Sequence, residues 1–415
     1  MNIRPSGRVV VTGLGAVTAL GVGVESFWSR LLAGESGIGP VTLMDTSEYT
    51  TRIAAEVKGF NAEDWMDKKD ARRVDRFIAF AVAAAVQATQ DSGLVINDDN
   101  RDHIGVLIGS GIGGLTTCAE QTRRIVEGGP SKVSPFLVPW MIPDMASGMV
   151  SIQLGARGPN TCVVTACATG ANSIGDAYHI IKRGDAIAML AGGAEAPINE
   201  IGMSGFCAAR AMTTRNDSPT EASRPFDKDR DGFVIGEGAG CLVLEDYDHA
   251  KARGAKIYGE VVGYGMSGDG FHITQPLEGH DGLRRSIEMA LRGHDRSQVD
   301  YINAHGTSTP INDREESRCM VSVWGSVEAV PAISSTKSML GHSLGATGAV
   351  ESVICLLAMR DQVIPPTVNY TTPDPDCPLD YVPNHSRKAS VKMTMTNSAG
   401  FGGHNATLVF KTIED

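Results

Sequence analysis

Cys167 stands in VVTACATGANSIGDAYHIIKRG, where a β-branched run ends at the cysteine and an Ala/Gly/Ile-rich helical stretch begins directly after it. That placement aims the first free N–H groups of a helix, and the positive end of its dipole, at the sulfur, which stabilises thiolate and lowers the thiol pKa. The small neighbours Ala166, Ala168, Gly170 and Ala171 leave room for a substrate carbonyl beside those N–H groups. Cys167 is therefore the candidate nucleophile. The other seven cysteines, at 118, 162, 207, 241, 319, 355 and 377, read as small buried hydrophobes. With no C-x-x-C pair and no Cys/His cluster at zinc spacing, they are expected as free thiols in a reducing compartment.

His305, in YINAHGTSTP, follows a strand, and His342, in STKSMLGHSLGATG, precedes a Gly/Ala-rich helix with Lys337 five residues upstream. Two imidazoles in glycine-rich strand-to-helix turns can present N–H donors to one carbonyl oxygen on which negative charge develops. Lys337 is expected to face the same site. His103, His179, His249, His280, His294 and His385 lie in charged or loop contexts and read as surface residues. NSAGFGGHN, at 397 to 405, precedes a last strand, TLVFK, and its glycines let backbone approach a ligand closely.

Two motifs point elsewhere. GSGIGG at 109 to 114 satisfies G-x-G-x-x-G after a strand, but it lies about a hundred residues in and no clear ribose-binding acid follows, which argues against a dinucleotide site. GHSLG at 341 to 345 satisfies G-x-S-x-G, and Ser343 with Asp376 or Asp380 and then His404 has the chain order of an α/β-hydrolase triad. That rival leaves Cys167 and His305 without a role.

The elements that must position these residues alternate along the chain. Short apolar runs at RVVVTG (8–13), IGVLIGSG (104–111), TCVVTA (161–166), AIAMLAGG (186–193) and CLVLE (241–245) are separated by helical stretches, the pattern of buried parallel or mixed sheets. DYDHAKARGAK (246–256) reads as a helix ending at Gly254, and strands restart with IYGEVVGYG, so the boundary between two halves, 1–255 and 256–415, is placed there. VDYINA followed by HGTSTP echoes TCVVTA followed by CATGA, and PAISSTKSMLGH echoes AMLAGGAEAP, which points to an internal duplication. The 415 residues carry 42% apolar and 20% charged side chains and 48 glycines, a globular composition. A net charge of −11 argues against a nucleic-acid partner. The start has no apolar signal region and no run is long enough to span a membrane, so a soluble, cytoplasmic chain is expected.

With TACATG, NAHGTSTP, STKSMLGHSLGATGAVES and NSAGFGGHN in this order, the sequence resembles the β-ketoacyl-[acyl-carrier-protein] synthases, nearest to type II. The resemblance runs over nearly the whole chain, including RVVVTGLGAVTALG and RPFDKDRDGFVIGEGAG. It implies an α/β, thiolase-like fold of two related halves in a five-layered αβαβα arrangement, usually a homodimer. It implies Cys167 as the residue that takes the acyl chain, His305 and His342 as the pair acting in decarboxylation, and Lys337 as their support. The backbone N–H groups of Cys167 and Phe401 match the oxyanion hole, and Phe401 the gating phenylalanine. Thr307 and Thr309 match threonines that hold the phosphopantetheine arm, and Thr274 is a further expected substrate-binding residue. Ile112 and Phe206 fall where the acyl pocket is lined. Asn303 and Glu351 fall at a structural monovalent cation site. An acidic acyl carrier protein would dock on Lys68, Lys69, Arg72, Arg73, Lys132 and Arg210, although a solvated helix face explains that charge run equally. No metal or organic cofactor is needed for the chemistry, since the phosphopantetheine arrives on the carrier.

One departure stands out: the family usually has Phe where this chain has Ala399. Acyl selectivity and gating are the properties it touches. The implied reaction is a decarboxylative Claisen condensation that lengthens an acyl chain by two carbons. Alternatives are a type II polyketide ketosynthase, a thiolase, which lacks the histidine pair, a chain-length partner subunit, which lacks the cysteine, and the Ser343 hydrolase.

Overall fold

The computed structural model describes residues 5–413. Val9–Thr18 (β1), Ile104–Gly109 (β2), Asn160–Thr161 (β3), Ala188–Glu195 (β4) and Gly238–Asp246 (β5) form one half, in the order β3-β2-β4-β5-β1. β5 runs antiparallel to both of its neighbours and the other pairings are parallel. Gly259–Gly268 (β6), Tyr301–Asn303 (β7), Ala332–Ser334 (β8), Met393–Gly400 (β9) and His404–Lys411 (β10) repeat that pattern in the order β8-β7-β9-β10-β6. The halves meet where β1 and β6 pair antiparallel, Val10 with Glu260 and Val11 with Gly259.

Why these runs are strands follows from where their side chains go. Successive residues of a strand face opposite sides, and along β5 Leu242 and Leu244 enter one apolar cluster while Cys241 and Val243 enter another. Both faces are covered, so the run is apolar throughout rather than alternating. Arg76–Ser92 (α1) and Met145–Leu154 (α2) cover the outer face of the first half. Asp281–Ala290 (α4) and Pro310–Trp324 (α5) cover the second, with Cys319, Met320 and Val323 packed on Ile302, Ile333 and Met395. Between the sheets lie Thr169–Arg183 (α3) and Thr347–Asp361 (α6). Residues 347–359 of α6 are buried without interruption, as expected for a helix with sheet on both sides. Each Val, Ile or Leu buried there is worth about 1.5–3 kcal/mol.

The second half repeats the strand topology of the first, but in a register other than the one read off the sequence. The topology matches β2 with β7, β3 with β8 and β4 with β9, so the partner of the Cys167 turn is the Leu344–Ala346 turn and not HGTSTP. Both turns begin at a residue with positive φ, Ala166 at 49° and Leu344 at 45°, and both open onto a 15-residue helix. AMLAGGAE accordingly matches MTMTNSAG rather than PAISSTKS. Short apolar runs ending in small residues look alike in one dimension, and only the ladder pairs them. TCVVTA is also less of a strand than its composition implied: only Asn160–Thr161 joins the sheet, and Val164 is half exposed.

The two central helices touch backbone to backbone at their first turns. A Cβ on Gly170 would meet Ala349 N at 2.7 Å, and one on Gly348 would meet Ala171 N at 2.7 Å, a reciprocal pair that only glycine permits. Gly348→Val is therefore expected to destabilise the fold by about 1–3 kcal/mol through overpacking. Gly148→Ala, in α2 with nothing nearer than 3.5 Å to its Cβ, should instead stabilise by about 0.5–1 kcal/mol. Urea midpoints at constant m-value check both, and equal midpoints for the two variants would contradict the packing argument.

Candidate active site

Cys167 lies in a single 3-10 turn, Ala166–Ala168, that leads directly into α3, so the helix N-terminus does approach it. The hairpin between β9 and β10 closes over the turn: a Cβ on Gly400 would sit 3.0 Å from Cys167 N. Across the cavity, His342 Nε2 is 3.1 Å from Cys167 Sγ. The thiol shifts opposite to the expected lowering, because the side chain is buried, 8% exposed. Burial pushes the Cys167 thiol up to about 12, with the nearby Lys337 charge and the N–H groups of Phe401 and Cys167 offsetting part of that cost, and Glu195 adding to it. A standing thiolate is therefore disfavoured at rest.

His342 is held by backbone bonds to Val234 (2.7 Å) and Gly236 (2.9 Å), and its Nδ1 lies 3.1 Å from Thr347 Oγ1. His305 stands edge-on to it, ring centroids 5.4 Å apart at 85°. Both are held well below the usual imidazole range, first by burial and then by the Lys337 charge, so both are neutral. Lys337 itself is 2% exposed and outside the cavity lining, with Nζ 2.5 Å from Glu351 Oε1. Burial raises the Glu351 carboxyl to about 7, against the pull of Lys337. Glu351 Oε2 and Asn303 Oδ1 are buried oxygens with no hydrogen-bond partner.

Two buried carboxylates escaped the sequence analysis. Glu195, at the end of β4, accepts from Ser110 Oγ (2.6 Å) and from the N–H groups of Gly111 (2.8 Å), Ile112 (3.1 Å) and Gly345 (2.9 Å). Glu316, on α5, accepts from the N–H groups of His305 and Gly306, both at 2.8 Å, and burial raises it to about 7. Each pins the turn after the second strand of its half. A lone acid in an apolar run, LAGGAEAP, was the available signal for Glu195; Glu316 sits in a polar helix that reads as solvated although its polar face is buried.

A cavity of about 600 Å³ opens beside these groups. Cys167, His305 and His342 line it, and so do Thr274, Thr307, Thr309, Ile112, Phe206, Ala399 and Phe401. Phe401 leads inward through Phe206 (6.4 Å between centroids) and Phe233 (5.5 Å) to His342 (5.5 Å). Of the expected docking residues only Arg210 lines the cavity. Lys68 and Arg72 pair with Glu63, and Arg73 lies over the Phe136 ring at 5.4 Å. His280, read as a surface residue, is instead 1% exposed and lines the cavity, because the chain turns inward just before α4.

Neither rival motif is assembled. The N–H groups of Gly111 and Ile112 that a pyrophosphate would need are taken by Glu195, and a Cβ on Gly111 would meet that carboxylate at 2.7 Å. Ser343 Oγ lies 3.3 Å from Thr347 Oγ1, Asp380 is paired with Arg387, and His404 is exposed.

Models of the "Beta-ketoacyl synthase, N-terminal domain" and "Beta-ketoacyl synthase, C-terminal domain" match residues 6–250 and 258–371. The chain belongs to the β-ketoacyl synthase family, with the α/β thiolase-like fold of that family. A 3-oxoacyl-[acyl-carrier-protein] synthase 2 of Synechocystis sp. is 52% identical over 406 residues, 97% of this chain and 98% of that protein. A type II polyketide ketosynthase, solved with its acyl-carrier protein and bound to a hexaketide, superposes with a TM-score of 0.91 at 35% identity over 99% of this chain and 100% of that one. The ketosynthase/chain length factor of ishigamide gives 0.90 at 38% identity, over 98% and 99%.

The neutral histidine pair has a measurable signature. An unperturbed imidazole titrates at about 6.5; the ring resonances of His305 and His342 should stay in the neutral form from pH 8 down to below that value in an NMR titration. Because the unfolded chain takes up protons at these sites and the folded one does not, their contribution to stability is present above about pH 6.5 and is lost as pH falls below it. Titration of either ring near 6.5 would contradict the buried, Lys337-flanked setting.

Proposed function

We propose that this chain condenses an acyl group held on Cys167 with a malonyl group held on an acyl carrier protein. The observation that carries the reading is the convergence of one thiol and two neutral imidazoles from different halves on one cavity, with Sγ 3.1 Å from His342 Nε2. Its position among proteins 50–52% identical and named 3-oxoacyl-[acyl-carrier-protein] synthase 2 favours chain elongation over polyketide assembly.

In the first half-reaction the Cys167 sulfur attacks the acyl thioester carbon as its proton passes, by way of His342, towards the departing carrier sulfur. The N–H groups of Cys167 and Phe401 that face the sulfur hold the oxyanion, and the carrier thiolate leaves with a proton. Malonyl carrier then enters. Breaking its C–CO₂ bond sends the electron pair to the thioester carbonyl, and the enolate oxygen takes hydrogen bonds from His305 and His342. The enolate carbon attacks the acyl-cysteine carbonyl, Cys167 leaves as thiolate, and the product is a β-ketoacyl carrier two carbons longer. Lys337 acts through charge: it keeps both rings neutral, and neutral rings donate without releasing a proton to the carbanion.

Asn303 Oδ1 and Glu351 Oε2 are oxygen donors that fit a hard cation, which would neutralise the Glu351 charge and hold its orientation towards Lys337. The reaction is proposed to need no other cofactor. Arg210, at the cavity lining, is the proposed first contact for an acidic carrier. A second copy is proposed to cover the exposed edge strand Asn160–Thr161 with its neighbours Ile152, 71% exposed, and Val164, 52% exposed. No helix among the described residues is long and apolar enough to cross a membrane, and a cytoplasmic location is proposed with it.

Cys167→Ala is expected to abolish condensation and keep malonyl decarboxylation, whereas His305→Ala and His342→Ala should each lower decarboxylation by about a hundredfold or more, the usual loss for one oxyanion donor. Mass spectrometry of the carrier separates the two activities, and undiminished decarboxylation in either histidine variant would sink the assignment. A second outcome concerns Ala399, which leaves an open side beside Phe401. Ala399→Phe is expected to narrow the range of acyl lengths accepted by several-fold in relative rate, as one aromatic contact is worth about 0.5–1.5 kcal/mol. Competition between short and long acyl carriers checks it, and identical profiles would mean that position 399 only fills space.

A further inference from the structure

His280 is a buried side chain that the reaction above leaves without a role. It is 1% exposed, lines the cavity, and neither ring nitrogen makes a hydrogen bond of good geometry, although the Asn312 side chain lies within reach of the ring. Buried polar groups are almost always paired, so an imidazole with both nitrogens open is arranged for something that arrives. Its backbone is left-handed, φ 50° and ψ 45°, directly after Gly279 at φ 65°. The turn is held by Gly279 N to Glu315 Oε2 at 2.7 Å and His280 N to Leu277 O at 2.8 Å. A constrained turn thus presents this ring to the cavity.

A second open group lies close by. Asn405 spends both amide hydrogens, on Asp269 Oδ1 (2.7 Å) and Gly403 O (3.2 Å), which fixes its oxygen as the free end, and that buried Oδ1 has no partner. Gly282, two residues after His280, is wedged against Asp269 and Asn405, so the histidine and the asparagine lie close together in the cavity lining, where the 278–280 turn packs on α5. A neutral imidazole offers one donor and one acceptor, and Asn405 Oδ1 offers an acceptor. A carboxylate could use only the donor and would face two acceptors and the Asp269 charge. A secondary amide, with one N–H and one C=O, matches the set.

Resting on the condensing-enzyme reading, we infer that His280 and Asn405 form a binding subsite for an amide group of the carrier's pantetheine arm, positioning the thioester between Cys167 and the histidine pair. His280 binds the arm and takes no part in bond making. Its burial, which keeps the ring neutral, maintains the donor-plus-acceptor state that the amide needs.

His280→Gly suits the left-handed backbone and removes the ring, and His280→Asn restores a donor and an acceptor in a conformation asparagine tolerates. Calorimetry is run with free pantetheine and with a length-matched alkyl thiol lacking amides, on wild type and both variants. The glycine variant should bind pantetheine roughly tenfold more weakly, the loss expected for one or two hydrogen bonds, with asparagine restoring most of it and the alkyl thiol unaffected. In turnover, KM for malonyl-pantetheine should rise by a similar factor with kcat within about twofold. Unchanged pantetheine affinity in His280→Gly, or equal losses for pantetheine and the alkyl thiol, would overturn the subsite. Absence of condensation in the wild type would instead overturn the enzymatic reading, and the calorimetry would still decide the subsite.

Discussion

The contact between the first turns of α3 and α6 is the constraint on which the site depends. Cys167 belongs to the turn before one helix and His342 to the turn before the other, and the sulfur-to-nitrogen distance of 3.1 Å exists because the helices meet through Gly170 and Gly348. Any Cβ at those positions would displace the helix that carries a reacting group. Glu195 reinforces the arrangement, since one buried carboxylate gathers the 110–112 turn of the first half and Gly345 of the second. Its burial is costly, but four donors surround it, and removing one partner of such a network leaves a charge without solvent or protein to stabilise it.

Electrostatics then shapes the chemistry. The same enclosure raises the thiol and lowers both imidazoles, and the resting site is accordingly a neutral thiol beside two neutral rings, with the Lys337 cation held behind them on Glu351. Neutral imidazoles suit an enolate, because they stabilise it as donors already in place. The same burial disfavours a standing thiolate, which fits the proposed loss of the Cys167 proton during attack, with His342 Nε2 3.1 Å from the sulfur.

The two halves share a topology and have diverged in the parts that react. The position matching Cys167 is Gly345, where a Cβ would strike Gly111 N at 2.4 Å, and the turn matching His305 is the one whose N–H groups Glu195 holds. One half contributes the proposed nucleophile and the other the histidine pair, and both line a single cavity at the centre of the fold. Ala399 and His280 are the positions where this chain's cavity takes its own character, one by what it omits and the other by a ring held in a left-handed turn.

Much of the site was legible because its residues sit in strand-to-turn segments rich in glycine, where a polar reactive side chain has no packing reason to be. Cys167, His305, His342 and the 397–405 hairpin are of that kind, and all four face one cavity. The strands at Val9–Thr18 and Gly238–Asp246 were legible for the complementary reason, since runs buried on both faces must be apolar throughout. The register of the duplication, the thiol's protonation, the carboxylates of Glu195 and Glu316 and the burial of His280 were not. Each depends on what segments distant in sequence bring alongside: a ladder partner, an enclosing hairpin, a turn's N–H groups, or a chain reversal that carries a polar loop inward. The sequence by itself determined which residues can react and which stretches must be covered. Only the tertiary structure decided how they pair and whether they carry charge, because burial and hydrogen bonding are properties of the assembled neighbours and not of the residue.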